Sequence, residues 1–153
     1  MIWILLKVLL QDINVIMKMD NLKEYLLDLA FALNIDVVFT KQRQDFVPRA
    51  VPDERLVIIN SNWKCHHEIP FQIGHEMGHL VHNDTIIDCE SPNAHLPNEL
   101  SADKYSLNLI FKYNLVQVDT ITSPSVFLFQ YGIPFRMTEY TNEIFKENKN
   151  ILF

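Results

Sequence analysis

The chain has 153 residues, 48% of them apolar, and a net charge of −6 at neutral pH. That length and apolar content describe one domain with a core of its own and exclude a disordered chain. The acidic balance, with no basic cluster, argues against a nucleic-acid surface; two cysteines, Cys65 and Cys89, are too few for a disulfide framework and fit a reducing cytosol.

The opening MIWILLKVLL is apolar, but Lys7 interrupts it and Gln11-Asp12 ends it, far short of the about 20 residues that a membrane-spanning helix needs. It has neither the basic start nor the small-residue cleavage site of a signal peptide. Met17 and Met19 are alternative starts, so residues 1–19 are read as a leader or an added helix, and residues 20–153 as a single domain that folds without them. Asp20 is expected to cap a helix running to about Asn34, with Leu22, Leu26, Leu29 and Leu33 on its buried face. Ile35 to Thr40, rich in β-branched and aromatic residues, reads as a strand. Lys41 to Asp53 is polar, holds two prolines and reads as a loop. Leu56 to Asn60 is a second strand. Were it an exposed edge it would pair with an extended peptide; were it internal it would only support the helices, and the sequence leaves both open.

A helix from Pro70 or Phe71 to Asn83 carries His75-Glu76-Met77-Gly78-His79. One turn apart, His75 and His79 share a helix face about 6 Å apart along the axis, a spacing that suits two imidazoles on one zinc ion. Glu76, rotated by roughly 100° from His75, is placed to reach a water and not the ion. Set against this, the helix simply carries two of the chain's six histidines, so the pentapeptide needs a third ligand. His82 lies too far along the axis, about 10 Å, to share the ion with His75, and reads as packing or hydrogen bonding near the site or contacting substrate. His66, His67 and His95 read as solvated loop residues, and Cys65 as a small half-buried side chain.

Thr85 to Leu96 is expected to form a connecting loop, and Pro97 to open a helix running to about Tyr113, with Leu100, Leu107 and Ile110 toward the core. Glu99, in its first turn, completes a His₂Glu set whose fourth position is left to water. The alternative for Glu99 is a solvated carboxylate favoured by the helix dipole. Asp103, one turn on, is placed to hydrogen-bond the outer nitrogen of a ligand histidine. Gly78, Ser101 and Ala102 are small enough to let the two helices close on each other. Ser123 and Pro124 then start a helix that Gly132 ends, and a last helix spans about Met137 to Asn148. Phe127, Phe129 and Phe135 are expected in the core.

On the strand LVIIN, the run HEMGHLVH from His75 to His82, and ELSAD from Glu99 to Asp103, the chain resembles the ImmA/IrrE metallopeptidases of bacteria, phages and mobile elements. That family shows a similar strand, a helix reading HExGHxxxH or close to it, and ExxAN; Asp103 stands where Asn is usual and looks like the Asp that follows the ligand Glu in thermolysin-type enzymes. The expectation is a small α+β, zincin-like metallopeptidase domain, mainly helical, with a short sheet beside the HExxH helix. It would be a Zn²⁺ endopeptidase in the cytoplasm, with His75, His79 and Glu99 on the metal, Glu76 as general base and Asp103 behind a ligand histidine. The oxyanion donor would be a His, a Tyr or the backbone, with His82 and Tyr105 as candidates. The resemblance implies a specific protein substrate, a transcriptional repressor of a phage or mobile element. The alternative is a zinc-containing anti-repressor or antitoxin-binding protein that acts without cleavage. No direct nucleic-acid or membrane partner is expected.

Overall fold

The stretches DVVFT and LVIIN, whose branched side chains favour extended backbone, form β1 (Asp36–Thr40) and β3 (Leu56–Asn60). They belong to a computed structural model that describes residue 13 and residues 19–82 and 96–152. β1 and β3 pair in parallel, Asp36 opposite Leu56 and Thr40 opposite Asn60. A third strand, β2 (Arg49–Val51), pairs antiparallel with the other side of β3, so the order is β1-β3-β2. Leu56–Asn60 is therefore the internal strand, and β1 and β2 are the edges. β2 lies inside the stretch expected to be a loop. Three residues between Pro48 and Pro52 carry no alternation to read, and prolines are tolerated there because they sit outside the ladder of an edge strand.

Buried Asn60 directs the chain into β2. Its side-chain oxygen accepts the amides of Gln42 (3.1 Å) and Asn62 (3.0 Å), and its Nδ2 donates to the carbonyls of Arg43 (2.6 Å) and Phe46 (3.1 Å). One side chain thus ties down three backbone groups of the polar loop before β2 and one just after β3.

Residues 19–32 form α1, which buries Leu22, Leu26 and Ala30 at fourth-residue spacing. Asp20 lies within the helical stretch, 3.7 Å from Lys23. Leu33 is not on the buried face: it sits in the turn after the helix, where Asn34 adopts φ 54° and redirects the chain into β1. Arg55 donates to the carbonyls of Leu33 (2.7 Å) and Asn34 (3.0 Å), satisfying groups that the helix end leaves open.

α2 (Ile69–Val81) packs on β2 and β3 with one side and on α3 (Leu96–Leu115) with another. Ile73, Met77, Leu107, Ile110, Val57 and Ile59 are buried in the shared core. Leu100 is exposed at the start of α3, unlike Leu107 and Ile110. α4 (Pro124–Gln130), α5 (Thr138–Glu147) and α6 (Lys149–Leu152) complete the chain. Phe127 is buried edge-on against Phe111 and Phe145, whereas Phe129 is 77% and Phe135 89% exposed. Two residues apart on a helix, Phe127 and Phe129 point to opposite sides, so only one can face the core. Phe135 belongs to the short 3₁₀ turn Phe135–Met137.

The architecture is α+β, mainly helical with a small three-stranded sheet beside α2. Of the connection expected over 85–96, Leu96 already belongs to α3; residues 85–95, with Cys89 and His95, and most of residues 1–19 lie outside the described residues. Among the described residues no helix is long and apolar enough to cross a membrane.

Candidate metal centre

The centre is made where α2 and α3 come closest. A Cβ on Gly78 would stand 2.9 Å from the Ala102 Cα, and one on Gly74 would run into the Ser106 hydroxyl. Glycine at these two places lets the helix backbones approach more nearly than any side chain permits. Ser106, buried in the contact, donates to the Phe71 carbonyl at 2.7 Å. The sequence expectation that Gly78 and Ala102 form this contact holds.

His75 and His79 project from α2 toward the first turn of α3, from which Glu99 reaches back. The two Nε2 atoms are 3.1 Å apart; Glu99 Oε2 is 3.2 Å from the Nε2 of His75, and Glu99 Oε1 is 3.3 Å from that of His79. Ligand atoms held about 2.0–2.1 Å from a tetrahedral ion stand about 3.3 Å from one another. Each Glu99 oxygen faces one histidine, and with one atom from each residue within 4.8 Å of the others the three side chains form a group of the kind that can hold a metal ion. Both histidines are largely buried, while Glu99 is about half exposed, at the side open to solvent.

Asp103, buried in α3, lies behind the centre. Its Oδ1 accepts the Nδ1 proton of His75 at 2.8 Å. A carboxylate can only accept here, so in the neutral imidazole the proton sits on Nδ1, and Nε2, on the side of Glu99 and His79, is the nitrogen left to bind a metal. Arg136 donates to the same carboxylate twice, from Nε to Oδ2 at 2.7 Å and from Nη2 to Oδ1 at 2.9 Å.

The electrostatics follow from this crowding. Burial opposes charge on His75, but hydrogen bonds to Asp103 and Glu99 and the nearby charge of Glu76 outweigh it, and its pKa is pushed up to about 9. Hydrogen bonds from His75 and His79 hold Glu99 well below the usual carboxylate range against the pull of burial. The cluster binds a proton tightly, and the same excess of lone pairs and negative charge suits a metal cation. Glu76, buried on the side of α2 that faces β2, is shifted the other way. Burial raises its pKa, opposed by the charges of His75 and His79 and by the amide of Ala50.

His75, Glu76, His79 and Glu99 line one cleft of about 710 Å³. Val47, Pro48, Arg49 and Ala50 form one wall, and Pro134 and Arg136 part of another. His82 and Tyr105 do not line it. They pack edge-on against each other at 5.7 Å, with Ser101 Oγ 3.2 Å from the His82 Nδ1. His67, expected to be solvated, donates from Nε2 to the Phe129 carbonyl at 2.6 Å. Arg136 was missed in sequence because it lies 33 residues past Asp103, in a turn with no motif around it. Ala50 was missed with the strand that carries it.

No family model, curated protein or solved structure matches this chain.

Proposed function

We propose that the chain is a zinc-dependent endopeptidase of the ImmA/IrrE kind, with a zincin-like fold, that hydrolyses a peptide bond in a specific protein. The observation that carries this reading is the cluster of His75, His79 and Glu99, its two Nε2 atoms 3.1 Å apart and one Glu99 oxygen 3.2–3.3 Å from each, with buried Glu76 lining the same cleft. Zinc held by these three residues would polarise the scissile carbonyl and lower the pKa of a water toward 7. Asp103 fixes the His75 ring and its tautomer for that task. Glu76, with its pKa raised by burial, takes a proton from the attacking water at its carboxylate and passes it to the leaving amine. A cleft of about 710 Å³ falls within the range that admits a peptide segment. β2 is a sheet edge on the cleft side, so an extended substrate would lie along it.

The substrate class, a transcriptional repressor of a phage or mobile element, rests on the motif resemblance from His75 to His82 and from Glu99 to Asp103. The test is Glu76→Gln, which keeps the size of the side chain but cannot take up the proton. The variant is expected to retain one zinc per chain by elemental analysis and to cleave the repressor encoded beside it about 10²–10⁴-fold more slowly. If it frees the operator as well as wild type while the repressor stays intact, the protein is a zinc-containing anti-repressor that acts by binding alone.

A further inference from the structure

Among the residues lining the cleft, Arg136 has a second attachment that Arg49 lacks. Arg49 stacks on Phe46, 4.8 Å from the ring centroid, whereas Arg136 reaches behind the metal ligands to Asp103. The pairing is side-on: Nε and Nη2 each take one carboxylate oxygen, in the parallel geometry that a guanidinium makes and an ammonium does not. Oδ1, which accepts from Arg136 at 2.9 Å, is the oxygen that accepts from His75 at 2.8 Å. The guanidinium therefore determines the plane of the carboxylate, and with it the direction from which the carboxylate grips the imidazole. Asp103 is buried, and without Arg136 the bond to His75 would be left to fix its plane through a single oxygen.

The turn that carries Arg136 is itself anchored to the start of the metal helix. His67, just ahead of α2, donates to the Phe129 carbonyl, and Gly132 lies so close to the His67 carbonyl that a Cβ there would collide with it. Ile133 returns its amide to Leu128 (2.9 Å) and Met137 its amide to Pro134 (2.9 Å), and the Met137 side chain is buried. The Arg136 guanidinium lies 5.8 Å from the centroid of Phe71, in the first turn of α2. The connection between α4 and α5 is thus held at a fixed height over the site.

We infer that Arg136 is a positioning residue of the metal centre: by clamping Asp103 it holds His75 with Nε2 directed at the ion. The inference rests on the zinc reading above. It makes the metal centre a three-element assembly, in which the turn after α4 completes what α2 and α3 begin.

The test is a double-mutant cycle on the full chain, comparing wild type, Arg136→Met, Asp103→Ala and the double variant. Zinc affinity is measured by chelator competition, and the visible absorption of the cobalt-loaded protein reports ligand geometry. Arg136→Met is expected to keep its circular dichroism, to bind zinc about tenfold more weakly and to shift the cobalt bands. The double variant should bind no more weakly than the weaker single variant, because Arg136 acts through Asp103. Arg136→Lys keeps the charge but not the parallel pair, and should also bind more weakly than wild type; it carries the comparison should Arg136→Met fail to fold. Wild-type zinc affinity and cobalt spectrum in the arginine variants would overturn the inference, and so would losses that add in the double variant. A wild-type chain that takes up no zinc would overturn the metal reading itself, and this inference with it.

Discussion

The floor of the cleft and its walls are held by different forces. The floor is α2 against α3, where Gly74 and Gly78 meet Ser106 and Ala102 across a contact that leaves no room for a further atom. The walls are the 46–52 stretch and the Pro134–Arg136 turn, and they hang on directional bonds. Asn60 holds the first, and His67 and the Arg136–Asp103 pair hold the second. Close packing is collective, so an intruding atom moves both helices at once. A hydrogen bond is local and contributes about 1 kcal/mol net, so its loss loosens one segment. Ligand spacing should therefore depend on the floor and on the Arg136–Asp103 pair that reaches down to it, and the shape offered to a substrate on the rest of the walls.

The largest expected effect comes from forcing the floor apart. Gly78→Leu puts a branched side chain where even a Cβ would lie 2.9 Å from Ala102. It should destabilise the fold by about 3 kcal/mol or more, and separate Glu99 from the two histidines. Denaturant unfolding and zinc content should fall together; retention of one zinc per chain would show that the two helices are not the rigid part.

Next in size is the behaviour of the metal-free protein with pH. His75, ordinarily at 6.5, is pushed up to about 9 in the folded chain. A raised folded-state value stabilises fully below the unfolded value and is lost as pH rises through the folded one. The metal-free protein should accordingly lose stability between pH 6.5 and 9, by no more than about 3 kcal/mol from this group. Zinc should restore stability by binding the folded chain, and chelator should remove that gain. Thermal unfolding across this pH range, with and without zinc, checks both.

The first wall is tested by Asn60→Ala, which orphans backbone groups of residues 42–46 and 62. Stability should drop by about 2 kcal/mol while zinc affinity stays at the wild-type level. Equal loss of both would mean that the wall and the floor are one unit.

The smallest effect is expected at the exposed aromatics. Phe135→Ser removes a ring that is 89% exposed and should change stability by less than about 0.5 kcal/mol. A larger loss in urea unfolding would mean that Phe135 packs more than its exposure shows.

How much of this was legible beforehand differs by region. The His75–His79 spacing, Glu99, Asp103, the small residues between the helices and the strands β1 and β3 all follow from local rules. A turn of helix fixes which side chains share a face, and branched residues favour extended backbone. Helix periodicity also separates Phe127 from Phe129, and that signal was present but unused. Leu33 and Leu100 carried an apolar pattern past the point where the helix ends or the core begins, a boundary that packing sets.

The sequence by itself determined a mainly helical α+β chain and the cluster of His75, His79 and Glu99 drawn from two helices. Only the tertiary structure decided that β3 is internal, between β1 and a further edge strand β2, because a strand of three residues exists only through the neighbour it pairs with. The same holds for Arg136. Its role depends on an orientation toward Asp103 that no spacing rule spans, and a long-range pair of charges leaves no periodic trace in the chain.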